Sequence, residues 1–150
     1  RFEEQLAITR YWARVDPLDF LPGTNRAADR FVRARFYIDA VTQSADPRIA
    51  AAAVFSVIRN ASVPYGISVA DAPNLSTTRW RVVADQTDRV LHVESAISPN
   101  VFRVDLARLD LSEGAPVMAL TLGTDMEAVH AGEVSGEFVP ADPFAFAPAG

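Results

Sequence analysis

At 150 residues, 49% of them hydrophobic, the chain has the length of one domain and enough apolar residues for a single core. Fourteen basic against nineteen acidic residues leave a formal charge of −5, with the positive residues dispersed, so nucleic acid is not expected as a partner. Cysteine is absent, which excludes a disulfide, a thiolate metal site or a thiol nucleophile within these residues. Every basic residue is Arg, a compositional bias that weakens any single Arg as a sign of guanidinium chemistry.

No apolar run approaches the length that crosses a bilayer, and no leader-like pattern opens the chain, so a soluble domain without a membrane partner is expected. The chain opens on Arg1 inside a helical pattern, which predicts that the natural start lies further upstream. Phe2, Leu6, Ala7 and Tyr11, with Trp12 a further candidate, recur at helical spacing until Pro17 and the Pro22-Gly23 pair interrupt them. Thr24 or Asn25 can then cap a second helix, whose apolar positions are Ala27, Phe31, Ala34 or Arg35, and Ile38. Asp46 followed by Pro47 is a cap residue before a proline at the first helical position, and "RIAAAAVFSVIRN" continues as a third helix, expected to be mostly buried.

From Ser62 onward the pattern changes to short β-branched runs. "RWRVVAD", a "QTD" turn and "RVLHVES" read as two strands, and "NVFRVDL" adds a third by alternating Val101, Arg103 and Asp105 with Phe102, Val104 and Leu106. An antiparallel meander follows from such links, with weaker strand signals at 117–122 and 132–138 before a Pro- and Ala-rich surface tail. Helices first and strands after predict an α+β fold over residues 1–150.

His92 and His130 are the only histidines, too few for a convincing metal site, and read as a strand-face and a loop residue. Glu94, Asp105 and Asp110 read as solvated carboxylates at sheet edges rather than an acid/base pair. No nucleophile elbow, phosphate-cradling loop or dinucleotide fingerprint is present. The dense polar feature is the second helix, where Arg26, Arg30 and Arg33 share a face and Asp29 adjoins Arg30. By spacing alone this is an exposed ion-pair stripe, contributing about 0.2 to 1 kcal/mol per pair.

The segment "FLPGTNRAADRFVRARFYIDA" resembles one in the choloylglycine hydrolase family, where an "LPG" turn leads into a helix with an "S-R-F-V-R" core. "SVIRNASVPYGIS" and "STTRWRVVADQTDRVLHVESAISPNVFRVDL" resemble later segments of that family, in particular its Gram-negative penicillin V acylase branch, and "RFEEQLAITRYW" resembles the stretch after its "N-S-P" segment. The resemblance reaches about Leu122. It implies the carboxy-terminal half of an N-terminal nucleophile fold, an αββα sandwich. It also implies hydrolysis of a linear amide by an amino-terminal Cys whose own α-amino group is the base, lying upstream of this chain.

The match places the family's distal catalytic Arg at Arg30, with Asp29 where the family has serine; Arg26, Arg33 and Arg35 keep the ion-pair reading. Asp29 could orient Arg30 or face water. Penicillin V, N-acyl homoserine lactones and conjugated bile salts are the implied substrates. No cofactor or metal is implied. A periplasmic location, with cytoplasm as the alternative, and a homo-oligomer follow from the same resemblance, as does the absent amino-terminal part as a partner. A non-catalytic ligand-binding or assembly module of the same fold is the competing expectation.

Overall fold

The computed structural model describes residues 2–12, 14, 21–71, 76–122 and 129–144. Pro17, read as a helix stop, and the tail 145–150 lie outside the described residues. The chain divides into two compact units, Arg1–Val83 and Ala84–Gly150.

The first unit holds three helices, α1 (Phe2–Trp12), α2 (Ala27–Ala40) and α3 (Pro47–Asn60). In α1, Glu3 and Glu4 occupy the first turn and Arg10 the last, the placement that the helix field favours at each end. Helix α2 begins one or two residues later than the candidate caps imply. Arg26 is the cap position and makes no side-chain cap bond. Thr24 instead accepts from the Arg26 N–H at 3.2 Å, and its hydroxyl donates to Asp29. Asp29 therefore belongs to the entry of α2 and neither orients Arg30 nor simply faces water.

Helix α3 starts as its sequence dictates. The Asp46 side chain accepts from the Arg48 N–H at 2.9 Å and Pro47 follows it. The Arg48 guanidinium and backbone N–H hold the Asp46 carboxyl below its usual range. The expectation of a mostly buried helix is corrected: Ala51, Phe55 and Val57 are buried, whereas Ile49 and Ser56 are exposed. The apolar residues thus bury one face rather than the whole circumference.

Strand β1 (Trp80–Asp85) begins in the first unit and ends in the second, where β2 (Val90–Ser95) and β3 (Val101–Asp105) follow. The turn after β1 is set by Asp85, whose Oδ1 accepts from the N–H groups of Thr87 and Asp88, and by Arg89 in the left-handed region at φ 57°. β2 and β3 pair antiparallel, with Val93 opposite Phe102 and Leu91 opposite Val104. The alternation read from the sequence is observed, since Phe102 and Val104 are buried while Val101 and Arg103 are exposed.

Beyond β3 the expected meander fails. β4 (Met118–Ala119) pairs antiparallel with β6 (Val139–Pro140), while β5 (Gly132–Glu133) joins β3 in parallel, giving the sheet order β1-β2-β3-β5. The strand expected over 132–138 stops at Glu133 because Ser135 takes over the pairing. Its Oγ accepts from the Asp105 N–H at 2.8 Å and donates to the Asp105 carbonyl at 3.2 Å. Residues Ser135–Glu137 then form a 3-10 turn. Val93, Phe102, Val104 and Val134 form the core of this unit, with Leu91, Leu106, Leu109, Leu120 and Phe138 packed around it.

Candidate active site

In the first unit the arginines of α2 diverge into three roles. Arg35 forms an exposed ion pair with Asp39 one turn on, the role its spacing implies. Arg33 is the correction to the ion-pair stripe: it is only 8% exposed. Its Nε donates to the Asn60 carbonyl at 3.3 Å, and its Nη1 donates to the carbonyls of Pro22 at 2.7 Å and Thr24 at 2.9 Å. A buried guanidinium survives there because its Nε and Nη1 are bonded to three carbonyls.

Arg30 stands one turn before Arg33 and takes the next carbonyl. Its Nε donates to Ala61 O at 2.7 Å. Among the described residues it makes no other hydrogen bond or ion pair, so both Nη groups remain available as donors. They are available in a cleft of about 530 Å³ whose walls include Arg30, Ser62, Thr78, Arg79 and Trp80. Among the described residues the lining contains three guanidinium groups and no carboxylate.

The floor of that cleft is the carboxyl end of α3, and its backbone acceptors are all occupied. Val57 O receives the Ala61 N–H at 3.1 Å and Arg59 O receives the Ser62 N–H at 3.2 Å. Ile58 O receives the Ser62 hydroxyl at 2.6 Å. The next two carbonyls, of Asn60 and Ala61, go to Arg33 and Arg30. Ser62 Oγ also accepts from Arg81 Nε at 2.8 Å, and Val63 exchanges bonds with Thr78, whose Oγ1 takes the Val63 N–H at 3.0 Å. The segment after α3 is therefore fixed to the segment that carries Thr78 to Arg81.

Such a wall can hold and stabilise negative charge that develops on an acyl oxygen or a thiolate placed against it. The sequence model of the linear amide C–N hydrolases, choloylglycine hydrolase family, matches residues 5–122. The chain belongs to that family. A penicillin V acylase of Pectobacterium atrosepticum is 44% identical over an alignment of 159 positions that covers 97% of this chain and 42% of the relative. The solved structure of a penicillin V acylase from Agrobacterium tumefaciens superposes with a TM-score of 0.85 at 48% identity, covering 97% of this chain and 46% of that one. This choloylglycine hydrolase family chain thus spans less than half the length of these relatives. Its α+β architecture is that of the matched part of an N-terminal nucleophile hydrolase.

The remaining candidates lie in the second unit. Glu94 and Asp105 sit at opposite ends of the β2–β3 ladder, opposite Val101 and Val90 respectively. Four residue steps along a strand separate them by about 13 Å, too far for a shared proton. Asp105 caps the 3-10 turn Leu106–Arg108 by accepting from the Ala107 N–H. Asp110 accepts from Ser112, whose hydroxyl and N–H lower its pKa. His92 lies opposite Arg103 on the strand pair. His130 is a bonded residue: its Nε2 meets the Thr121 carbonyl at 2.9 Å, its Nδ1 meets Glu137 at 2.8 Å, and its ring stacks edge-on to Phe102. Among the described residues no group of His and carboxylate side chains is spaced to hold a metal ion.

Arg33 and Ser62 are the site residues that the sequence reading assigned no part. The spacing of Arg33, one turn after Arg30, puts the two on one face of α2 but does not reveal the acceptors at Pro22, Thr24 and Asn60.

Proposed function

We propose that the complete protein containing these residues hydrolyses a linear amide C–N bond through an amino-terminal Cys upstream of this chain, which forms the carboxy-terminal part of the domain. The observation that carries this reading is Arg30, held by one nitrogen on Ala61 O, with its other two donors unengaged on the wall of a cleft that has no carboxylate among its described residues. In the reaction, the thiolate adds to the amide carbonyl, and the developing oxyanion is stabilised by donors around it. The amine leaves with a proton returned by the cysteine's α-ammonium group, and a thioester remains. Water then adds to the thioester, releasing the carboxylic acid and restoring the thiol. Arg30 contributes by favouring the thiolate and by stabilising the charge that develops on the acyl oxygen.

Both named relatives are penicillin V acylases, which supports penicillin V ahead of N-acyl homoserine lactones or conjugated bile salts as the substrate. A periplasmic location and a homo-oligomeric assembly belong to the same proposal, supported by kinship alone. The test is the amino-terminal sequence of the natural polypeptide together with its hydrolysis of penicillin V before and after iodoacetamide. An amino-terminal Cys whose alkylation abolishes release of phenoxyacetate is the expected result. A natural polypeptide without such a Cys, or turnover untouched by alkylation, overturns the proposal in favour of a binding or assembly module.

A further inference from the structure

We infer that Arg33 is a positioning residue for the Arg30 guanidinium, acting through the carboxyl end of α3. The inference rests on the proposed role of Arg30 and adds a residue to it. The two side chains leave α2 one turn apart, and their Nε atoms take the consecutive carbonyls of Asn60 and Ala61. Those carbonyls belong to adjacent peptide planes that meet at Ala61 Cα, and the bonds of Ala61 N–H to Val57 O and of Ser62 N–H to Arg59 O hold the two planes in the same helical turn, so a side-chain bond to the first carbonyl adds to the order of the second. Arg33 is itself fixed at its far end, where one Nη donates to both Pro22 O and Thr24 O in the turn that precedes α2.

The connection runs from that turn through Arg33 to the Asn60 carbonyl, through Ala61 Cα to the next carbonyl, and back to Arg30. The last turn of a helix is where backbone order is lost first. Without Arg33 the Asn60 carbonyl loses its side-chain donor, and the end of α3 is left to its backbone bonds and to Ser62, which fix the Ala61 acceptor less closely against Arg30 Nε. Arg30 would keep its charge and its place on α2. It would lose the contact that aims its two Nη groups into the cleft.

Lys cannot substitute. A single ammonium at the end of a flexible stem has no equivalent of Nε, so it cannot serve Asn60 while reaching Pro22 and Thr24. Arg33→Lys therefore retains the buried positive charge while removing the link to α3.

The experiment is a double-mutant cycle in the complete enzyme with Arg30→Ala, Arg33→Lys and the pair, scoring kcat per alkylatable nucleophile, KM and Tm. Arg33→Lys should lower kcat by about 10- to 100-fold, the scale for a displaced catalytic group, with KM changed by less than about threefold. In the Arg30→Ala background it should lower kcat no further. Loss of Tm with kcat intact, or full additivity in the double variant, overturns the inference while leaving the reading of Arg30 in place. Normal turnover in Arg30→Ala sinks that reading instead. Should Arg33→Lys fail to fold, Arg33→Gln, whose amide can still donate to a carbonyl without burying a charge, is scored by the same cycle and the same criteria.

Discussion

Replacing Arg30 with Ala, Gln and Lys in the complete enzyme separates what its charge contributes from what its shape contributes. Its Nε is engaged by Ala61 O at 2.7 Å, so under the proposed role only the two Nη groups are left to serve the transition state. Removing donors aimed at developing charge costs about 10²- to 10³-fold in kcat, or about 3 to 4 kcal/mol. Arg30→Ala should show that loss with KM changed by only a few-fold. Losing the bond to Ala61 O should also lower stability by about 1.5 to 3 kcal/mol, a typical contribution of a hydrogen bond to a charged group. Gln can restore the bond to Ala61 O but not the charge, so it should recover stability more than rate. Lys carries the charge on one head that cannot occupy both positions, and should recover no more than about tenfold of the lost rate. Steady-state release of phenoxyacetate from penicillin V, normalised to alkylatable Cys, gives kcat, and thermal denaturation gives stability. If Arg30→Ala retains kcat within threefold of the parent, the argument that this guanidinium serves the reaction is refuted.

Three further expectations concern the second unit. Phe102→Ala removes the largest side chain of a small core and should cost about 3 to 5 kcal/mol, read as faster hydrogen exchange of the β2 and β3 amides; unchanged exchange would mean that the cluster does not support the strands. Ser135→Ala should cost about 1 to 3 kcal/mol by leaving the Asp105 N–H without its partner, and a neutral effect in chemical denaturation would refute its role in ending β5. His130 has its pKa raised above the ordinary 6.5, first by the Thr121 carbonyl and then by Glu137, against partial burial. Its protonated form is therefore bound more tightly by the folded state. The stabilisation should be fully present below pH 6.5 and disappear as pH rises through the higher folded pKa. Measured Tm should fall across that interval in the parent and lose this component in His130→Phe; an identical pH dependence in both would contradict it.

The parts legible in the sequence are those fixed by neighbours in the chain. Asp46 and Pro47 mark the start of α3 because a cap acts within three residues, and β3 announces itself by alternation because Phe102 and Val104 meet the same core. The start of α2 was displaced because Thr24 works on Arg26 and Asp29 from outside the helix. The segment after Gly132 misled for a different reason. Its pairing with β3 is parallel and distant in sequence, and a serine hydroxyl completes it where a strand backbone was expected. Arg30 was placed by family resemblance, and the structure puts it on a cleft wall. Arg33 was read as a surface charge because its three acceptors lie on other segments of the chain, and local spacing carries no record of them.

The carboxyl end of α3 is the negative pole of a helical field, and Ile58, Ala61 and Ser62 present that pole to the cleft. Left bare, it would repel any anion placed there. Two guanidiniums from the neighbouring helix cover the pole, and a hydroxyl closes the turn beneath it. Two positive charges are thereby set against that pole without moving the helix. Changes in the side chains of α3 would leave this arrangement in place, because the groups being covered are backbone carbonyls that every sequence provides.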